Sequence, residues 1–399
     1  MPKALISTIT PISGGVPQMA TFIADSLIER GYEPGFAFYQ PYSLNPELSV
    51  PSHRLLSRRV ETQQNQFHNC RAQAIGAWMP ELEFTHYWPT KSWRELIDQY
   101  DVHLSVSGNC LAATPYAVNE TPFWSWVATE WAEDREQRVN EFPWYRKIFD
   151  RLIVSKGVRK LEKNILASGG SIVALSEHTK RKLNRLMTKP KAIEVMPIGI
   201  DTGRFKKTEK LSARTPMIGF VGRLDDPRKN IDLLLRALAL CKKNDLSLSA
   251  TLVGEGRRQD LRRQAEAYGL GNAVTIVDYV ENDKLPEFLS DISVFVIPSH
   301  QEGLCIAALE AMSCGIPVIS TRCGGPEEYV VDEITGYLVD ATPERLAEVI
   351  IKVITDSNLR SSMSENARHL VEKRYSVTYV KELFWSSFDQ TFSHFTSHV

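Results

Sequence analysis

The chain has no long apolar run and almost no net charge. No hydrophobic stretch approaches the roughly 20 residues that a membrane-spanning helix needs, so we predict no such helix. Its 47 Lys and Arg residues offset 48 Asp and Glu residues, which gives a formal net charge of -1. A dedicated nucleic-acid-binding protein carries a strong basic excess, so we expect no nucleic-acid partner.

Cysteines are few, and their spacing forms no pairs. The six residues show no C-x-x-C pattern, which disfavours a zinc site and a redox motif; they are Cys70, Cys110, Cys241, Cys305, Cys314 and Cys323. The opening residues, MPKALISTIT, are too few and too polar for a signal peptide. We therefore expect reduced thiols in a protein that stays on the cytoplasmic side of the membrane.

A complete dinucleotide-binding fingerprint is also missing. Gly14 and Gly15 follow the first predicted strand, and adjacent glycines let the backbone approach a ligand closely. The third glycine of the fingerprint is absent, and no acid clearly follows a second strand at the required distance. A nicotinamide dehydrogenase is therefore disfavoured. An isolated glycine pair favours a plain tight turn, whereas the position of this pair after the first strand favours a ligand loop that includes Val16.

Short apolar strands alternate with helical stretches in both halves of the chain. A length of 399 residues is about twice that of a usual single domain, so we expect two domains. The predicted strands cover residues 4–10, 102–106, 217–222, 248–253, 274–277, 294–297 and 317–320, and a helix is predicted over 19–30. Such alternation predicts an α/β protein with two Rossmann-like domains.

The strongest functional pattern is the run EGLCIAALE at residues 302–310. We predict that Glu302 lies at the mouth of a helix and that Glu310 lies about two turns further on, on nearly the same face. An acid near a helix N-terminus is common because of the helix dipole. Glu310 is less ordinary, since it lies among apolar residues and a buried carboxylate needs a partner such as a bound hydroxyl group.

These residues resemble the paired-glutamate motif of the retaining nucleotide-sugar glycosyltransferases of family 4, which have the two-domain GT-B fold. The resemblance implies two Rossmann-like domains that face each other across a cleft. It also implies that Glu302 lies beside the donor sugar and that Glu310 binds the ribose hydroxyls. The amides of Gly303, Leu304, Cys305 and Ile306 would then meet the diphosphate, because free amides at a helix N-terminus attract anions.

A second matching segment, GFVGRLDDPRKN at residues 219–230, follows a predicted strand that ends at Gly222. In the resembling family, an arginine and a lysine here hold the donor diphosphate, and the matching positions are Arg223 and Lys229. Solvated charges at a turn are the ordinary alternative. Two fixed cations can neutralise a leaving diphosphate, so we expect no metal requirement and no cofactor. Val280, after a later strand, is the position at which relatives contact the base.

In the first half, the resemblance is looser. Relatives place the glycine loop at Gly14 and Gly15 under the donor and acceptor, and many carry a histidine after a middle strand, near the donor sugar. The run PFWSWVATEW at residues 122–131 has no histidine. Thr129 or Glu130 takes that place here, which leaves the donor sugar open. His103, nearby, is better explained as a core histidine with its hydrogen bonds satisfied.

The predicted domain boundary is a hinge at residues 189–191, where Pro190 lies between two lysines. It separates an acceptor-binding domain over 1–189 from a nucleotide-sugar-binding domain over 190–375. In this family, the terminal helices return to the first domain, so residues 376–399 are expected to do the same.

Aromatic and basic residues of the first half indicate what kind of acceptor or surface this half could contact. Seven of the eight tryptophans lie in the first half, where most rings are expected to be core and some would suit a sugar acceptor. The segment 146–163 is dense in Lys and Arg, with apolar residues at helical spacing. It is either a solvated basic face or a peripheral contact with anionic lipid on the inner face of the membrane.

The resemblance implies a metal-independent hexosyl transfer with retention, from a nucleotide diphosphate sugar to a sugar, glycolipid, polysaccharide or small-molecule acceptor. A UDP-sugar is favoured, with UDP-glucose first and GDP-mannose second. In such a transfer, a donor phosphate oxygen assists deprotonation of the acceptor, and Glu302 orients the donor sugar without acting as an obligate nucleophile. The alternatives are an epimerase or phosphorylase of the same fold and a non-catalytic nucleotide-sugar-binding protein.

Overall fold

The chain divides into two compact units. The first comprises Met1–Pro197 with Lys381–Val399, and the second comprises Ile198–Val380. A computed structural model describes residues 1–10, 14–55, 59–140, 142–187, 191–207, 216–244 and 246–393. Residues 189 and 190 of the predicted hinge lie outside this described part, and the predicted domain boundaries remain predictions.

The first unit contains an eight-stranded sheet flanked by helices. Its strands are β1 Lys3–Thr8, β2 Glu33–Tyr39, β3 Thr62–Phe67, β4 Cys70–Ile75, β5 Val102–Ser107, β6 Trp124–Val127, β7 Ser171–Ala174 and β8 Glu194–Val195. Its helices are α1 Gly15–Glu29, α2 Lys91–Ile97, α3 Thr114–Val118, α4 Trp131–Asn140, α5 Trp144–Phe149, α6 Ser155–Ala167 and α7 Glu177–Leu186.

The strand order of this sheet is β3-β4-β2-β1-β5-β6-β7-β8. All neighbouring strands are parallel except β3 and β4, which form an antiparallel pair. Since the chain adds β2 on one side of β1 and later adds β5 on the other, the sheet has a topological switch point at β1. The loop that contains Gly14 follows β1 at this point.

The second unit contains a six-stranded parallel sheet in the order β11-β10-β9-β12-β13-β14. Its strands are β9 Met217–Val221, β10 Ser249–Val253, β11 Val274–Val277, β12 Val294–Ile297, β13 Val318–Thr321 and β14 Gly336–Val339. Its helices are α8 Ile231–Lys243, α9 Arg258–Ala267, α10 Leu285–Ser290, α11 Ile306–Ser313, α12 Pro343–Thr355 and α13 Ser357–Arg374.

The last helix, α14, spans Val377–Thr391 and so begins in the second unit and ends in the first. Within the first unit, the buried Trp124 donates its indole N–H to Ser387 Oγ at 3.0 Å. Arg30 and Asp389 form an ion pair at 2.7 Å. Among the residues that the structure describes, no helix is both long enough and apolar enough to cross a membrane.

Several predicted elements are confirmed. The strands at 274–277 and 294–297 have the predicted bounds, and the other predicted strands begin and end within two residues of their predicted bounds. The first helix begins at Gly15, not at residue 19. Pro17 lies in its first turn, a position that proline favours, and this signal could have located the true start.

Candidate functional site

The candidate site lies at the switch point of the second sheet. β9 pairs with β10 on one side and with β12 on the other, so the loops after β9 and β12 leave from the carboxyl ends of adjacent strands. Ligands in open α/β sheets bind at such points. The two loops are joined directly, because the backbone N–H of His300 donates to the carbonyl of Arg228 at 2.7 Å.

Lys229, from the first loop, meets Glu302, from the second. Lys229 Nζ lies 2.7 Å from Glu302 Oε1, and the two side chains are only 17% and 8% exposed. Ser299 Oγ donates to the same carboxylate oxygen, also at 2.7 Å. Burial alone would lower the pKa of Lys229, but the charge of Glu302, its hydrogen bond and the nearby Cys305 together outweigh burial, and the pKa is raised. The lysine is therefore held in its charged form.

The backbone of Glu302 is fixed outside the helix. Its N–H donates to the carbonyl of Cys323 at 2.7 Å, and its own carbonyl accepts from the N–H of Gly325 at 2.9 Å. Helix α11 begins only at Ile306, after Cys305, whose φ of 62° is left-handed. The prediction that Glu302 occupies the mouth of the helix was therefore wrong, and the helical repeat does not relate Glu302 to Glu310.

Between Glu302 and α11, the backbone presents a row of free amides. The N–H groups of Gly303, Leu304, Cys305 and Ile306 donate to no residue that the structure describes. The Tyr329 hydroxyl donates to the carbonyl of Leu304 at 2.6 Å, which holds the segment in place. Unpaired amides beside a helix N-terminus carry partial positive charge, so this segment is suited to an anion.

Glu310 lies inside α11 and is only 8% exposed. Its carboxyl group accepts no hydrogen bond from any residue in the described ranges. Burial raises its pKa to about 7, while the charge of Arg204 opposes this shift. A buried carboxyl without a hydrogen bond is costly, so the group fits the expectation of a partner that none of the described residues supplies.

Arg223 and Gly222 occupy the end of β9. The guanidinium of Arg223 is 62% exposed and lies 2.5 Å from Asp226 Oδ2. The backbone N–H of Gly222 donates to the carbonyl of Val253 at 2.9 Å. Burial alone would raise the pKa of Asp226, but the hydrogen bonds and charge of Arg228 lower it to about 2. Asp226 is thus ionised near neutral pH, and it contacts two arginines.

Val280 lies three residues beyond β11, at the edge of the same sheet, and is half-buried. Tyr279 beside it is 61% exposed.

In the first unit, the remaining predicted residues follow strands β1 and β6. Gly14 has a φ of 137° and precedes Gly15, the first residue of α1, with Val16 next. A Cβ atom at Gly14 would meet nothing within 4 Å, so backbone conformation and not space requires glycine here. Ile12 and Ser13, which belong to the same predicted loop, lie outside the described residues.

Thr129 and Glu130 are both buried. The N–H of Thr129 donates to the carbonyl of Gly108 at 2.7 Å, and Glu130 Oε2 accepts from the N–H of Glu133 at 2.9 Å. Glu130 therefore caps the N-terminus of α4. His103 is a core residue, as expected, with its Nε2 3.1 Å from the carbonyl of Ile97.

Sequence reasoning missed two polar residues. Ser299 could have been found, since it is a hydroxyl residue directly after β12 and three positions before Glu302. Glu162, in α6, is fully buried, and burial raises its pKa to about 8. Helical spacing alone would have placed Glu162 on the buried face of α6. Among the described residues, no group of three or more His, Cys, Asp or Glu side chains could hold a metal ion.

Known proteins resemble this chain in sequence, chiefly over its second half. Residues 201–370 match the family described as "Glycosyl transferases group 1". Over 226 residues, the chain is 32% identical to a D-inositol 3-phosphate glycosyltransferase of Acidothermus cellulolyticus, covering 52% of this chain and 50% of that protein. It is 29% identical to a GDP-mannose-dependent phosphatidylinositol monomannoside mannosyltransferase of Mycolicibacterium smegmatis, covering 50% of this chain and 56% of that protein.

Solved structures share the fold over nearly the whole chain. Sucrose-phosphate synthase from Thermosynechococcus elongatus superposes with a TM-score of 0.72 at 20% identity, covering 98% of this chain and 99% of that one. Anabaena HepE in complex with UDP-glucose superposes with a TM-score of 0.73 at 17% identity, covering 97% and 99%. The chain spans about half the length of the curated relatives that it matches. The predicted GT-B fold is thus confirmed, and residues 201–370 carry the glycosyl transferase group 1 match.

Proposed function

We propose that this chain is a retaining glycosyltransferase of family 4 that moves a hexosyl group from a nucleotide diphosphate sugar to an acceptor hydroxyl. The observation that carries the proposal is the pairing of Lys229 with Glu302 beside the free amides at residues 303–306. A buried cation and a row of amides suit a diphosphate, and the adjacent carboxylate suits a sugar hydroxyl.

The reaction has one main electrostatic demand. The bond between the anomeric carbon and the diphosphate oxygen breaks, so negative charge grows on the leaving diphosphate. Lys229, Arg223 and the amides of residues 303–306 would stabilise that charge without a metal ion, since fixed positive groups in a partly buried site act strongly. Arg223 would exchange its contact with Asp226 for the phosphate, which its exposed position permits.

The anomeric configuration is retained if the acceptor attacks the anomeric carbon from the same face that the diphosphate leaves. The acceptor oxygen forms its bond to the anomeric carbon, and its proton passes to the departing phosphate oxygen. Glu302 then orients the donor sugar and favours the positive charge that develops on the ring. Its bond to Lys229 and Ser299 limits its freedom to act as a nucleophile. Glu310 would accept hydrogen bonds from the ribose hydroxyls, a partner for its buried carboxyl that no described residue provides.

A UDP-sugar, with UDP-glucose first, is the favoured donor, and HepE, which shares the fold, is described in complex with UDP-glucose. GDP-mannose is the second candidate, since the Mycolicibacterium relative is named as GDP-mannose-dependent. Two relatives are named for inositol phosphate or phosphatidylinositol monomannoside, so a glycan, a glycolipid or a small polar molecule is the proposed acceptor class.

The test is transfer from radiolabelled UDP-glucose and GDP-mannose, with EDTA present, to a panel of glycan, glycolipid and inositol phosphate acceptors. The anomeric configuration of the product is read by NMR. Glu302→Gln and Lys229→Met should each lower the transfer rate by at least about a hundredfold. The matched controls are Glu344→Gln and Lys243→Met, which alter exposed residues of the same unit and should leave the rate unchanged.

Each alternative gives a distinct result. Donor binding without turnover would indicate a non-catalytic binding protein. Conversion of the donor without an acceptor would indicate an epimerase, and dependence on inorganic phosphate would indicate a phosphorylase. An inverted product, or activity that EDTA removes and Mg²⁺ restores, would contradict the retaining, metal-independent reaction.

A further inference from the structure

A helical segment of the first unit exposes a band of large apolar side chains. Helix α5, a π-helical turn over Asp150–Val154 and helix α6 follow one another without a break. Six large apolar residues on α5 and the π turn are between 43% and 74% exposed: Trp144, Tyr145, Ile148, Phe149, Leu152 and Ile153. We name these six residues the apolar band. Contiguous exposed apolar surface of this kind marks an interaction site.

The spacing keeps the band on one side of the segment. Its members form two rows with four-residue steps, 144-148-152 and 145-149-153. A four-residue step slightly overshoots an α-helical turn of about 3.6 residues, and the wider turn of the π segment offsets that drift. The segment is anchored after the band, because Val154 and, on α6, Val158, Leu161 and Ile165 are buried in the core of the first unit, whereas no residue of α5 is buried.

The exposed charge on the same segment has one sign only. Seven exposed residues are basic: Arg146, Lys147, Arg151, Lys156, Arg159, Lys160 and Lys163. The two acids of residues 142–167, Asp150 and Glu162, are both buried, and Asp150 is bound by Arg135 at 2.6 Å. The exposed surface of the segment is therefore apolar and basic, with no acidic side chain to offset it.

We propose that the apolar band and its seven cations dock this chain on the surface of an anionic lipid bilayer. Trp and Tyr favour the membrane interface, where an apolar ring and a polar edge are both satisfied. Aliphatic neighbours enter the boundary between headgroups and acyl chains, and Lys and Arg contact anionic headgroups.

A second copy of this chain is a poorer occupant than a bilayer. In a two-fold dimer, the same surface of both copies meets, so the seven cations of one copy would face the seven of the other. No exposed acid on the segment would compensate this repulsion. An anionic bilayer instead offers charge of the opposite sign. The proposal does not depend on the proposed function, since it concerns where the chain binds and not what it transfers.

The experiment is sedimentation of the full chain with vesicles, at low and high salt. One set of vesicles is phosphatidylcholine alone, and the other contains equal parts of phosphatidylcholine and phosphatidylglycerol. We expect binding to the anionic vesicles, little binding to the neutral ones, and loss of binding at high salt because salt screens the charges.

Two double variants separate the two contributions. Ile148→Ser with Leu152→Ser should weaken binding by about tenfold or more, since both side chains leave the acyl boundary. Lys147→Gln with Arg151→Gln should weaken it by about tenfold or more and reduce the salt dependence. All four residues are exposed, so the melting temperature should hardly change.

The matched controls alter the same residue types on the second unit. Val331→Ser with Ile334→Ser removes two apolar side chains that are 44% and 50% exposed, and Lys243→Gln with Lys373→Gln removes two exposed cations. Both should bind vesicles as the unaltered chain does. Absence of vesicle binding, equal binding to neutral vesicles, or equal loss in the controls would overturn the proposal. The proposal would also be overturned if analytical ultracentrifugation showed a dimer that the Ile148 and Leu152 changes dissociate, and if the chain did not bind vesicles.

Discussion

Lys229 Nζ and Glu302 Oε1 lie 2.7 Å apart although 73 positions separate them in the chain. Their meeting is a consequence of topology, because β9 and β12 are neighbours in the sheet and each residue lies in the loop that follows its strand. The pair is nearly buried, so each charge depends on the other. Breaking a buried pair by removing one partner leaves an uncompensated charge.

We first predict that Lys229→Met destabilises the protein by about 3 kcal/mol, since the Glu302 carboxylate stays buried without its cation. Urea unfolding measures this free energy. Combining Lys229→Met with Glu302→Gln should recover most of the loss, because neither charge then remains buried. If the double variant is as unstable as the sum of the two single variants, the two residues do not interact energetically.

The second prediction concerns Glu310, whose pKa burial raises from 4.5 to about 7. The folded state holds this proton more tightly than the unfolded state does, so the resulting stabilisation is fully present below pH 4.5 and is lost as pH rises through about 7. Glu310→Gln removes the titration. Relative to the unaltered chain, it should gain up to about 3 kcal/mol at high pH, since each tenfold change in proton affinity corresponds to about 1.4 kcal/mol.

Urea unfolding of both proteins from about pH 4 to about pH 9 measures the effect. Groups that titrate in both proteins, such as Glu162, cancel in the difference. A difference that does not vary with pH would show that Glu310 has an ordinary pKa in the folded protein.

The third prediction concerns the backbone that fixes Glu302. A Cβ atom at Gly325 would lie 2.2 Å from the carbonyl oxygen of Gly303, so the segment after Glu302 must shift. Gly325→Ala should destabilise the protein by about 1 to 3 kcal/mol, as other overpacking changes do, and should lower donor binding. Gly169→Ala is the matched control, since nothing lies within 4 Å of the position of its added atom. Thermal unfolding of both variants, with and without donor, measures stability and donor binding. Equal losses in the two variants would contradict the close approach of Gly325 to Gly303.

Strands were the part of the fold that the sequence predicted best. Runs such as residues 294–297 are apolar throughout because strands of a parallel sheet are buried on both faces, and that pattern is local. The start of α1 was missed because the prediction followed apolar spacing and ignored Pro17. The antiparallel β3 could not be predicted in this way, since residues 62–67 are mostly polar and exposed.

The sequence pointed to residues of the candidate site but not to their contacts. The motif identified Glu302 and Lys229, but no local pattern indicates that two loops pair across adjacent strands. The helical spacing of Glu302 and Glu310 failed because Cys305 has a left-handed φ and Glu302 pairs with the segment at Cys323–Gly325. Such tertiary pairing overrides a repeat that assumes one continuous helix.

The last prediction separates stability from activity at Ser299, which is buried and donates to Glu302 Oε1 at 2.7 Å. Ser299→Ala should lower the free energy of unfolding by about 1 to 2 kcal/mol, since a charged acceptor loses one donor. Under the proposed function, it should also slow transfer by about tenfold, because Glu302 is less well oriented. Ser105→Ala is the matched control: Ser105 is equally buried, lies in β5 of the first unit and donates to Ser125 Oγ at 2.7 Å. It should lose comparable stability and keep its transfer rate. If both variants slow transfer equally, the effect of Ser299 is one of general stability, and its positioning of Glu302 is contradicted.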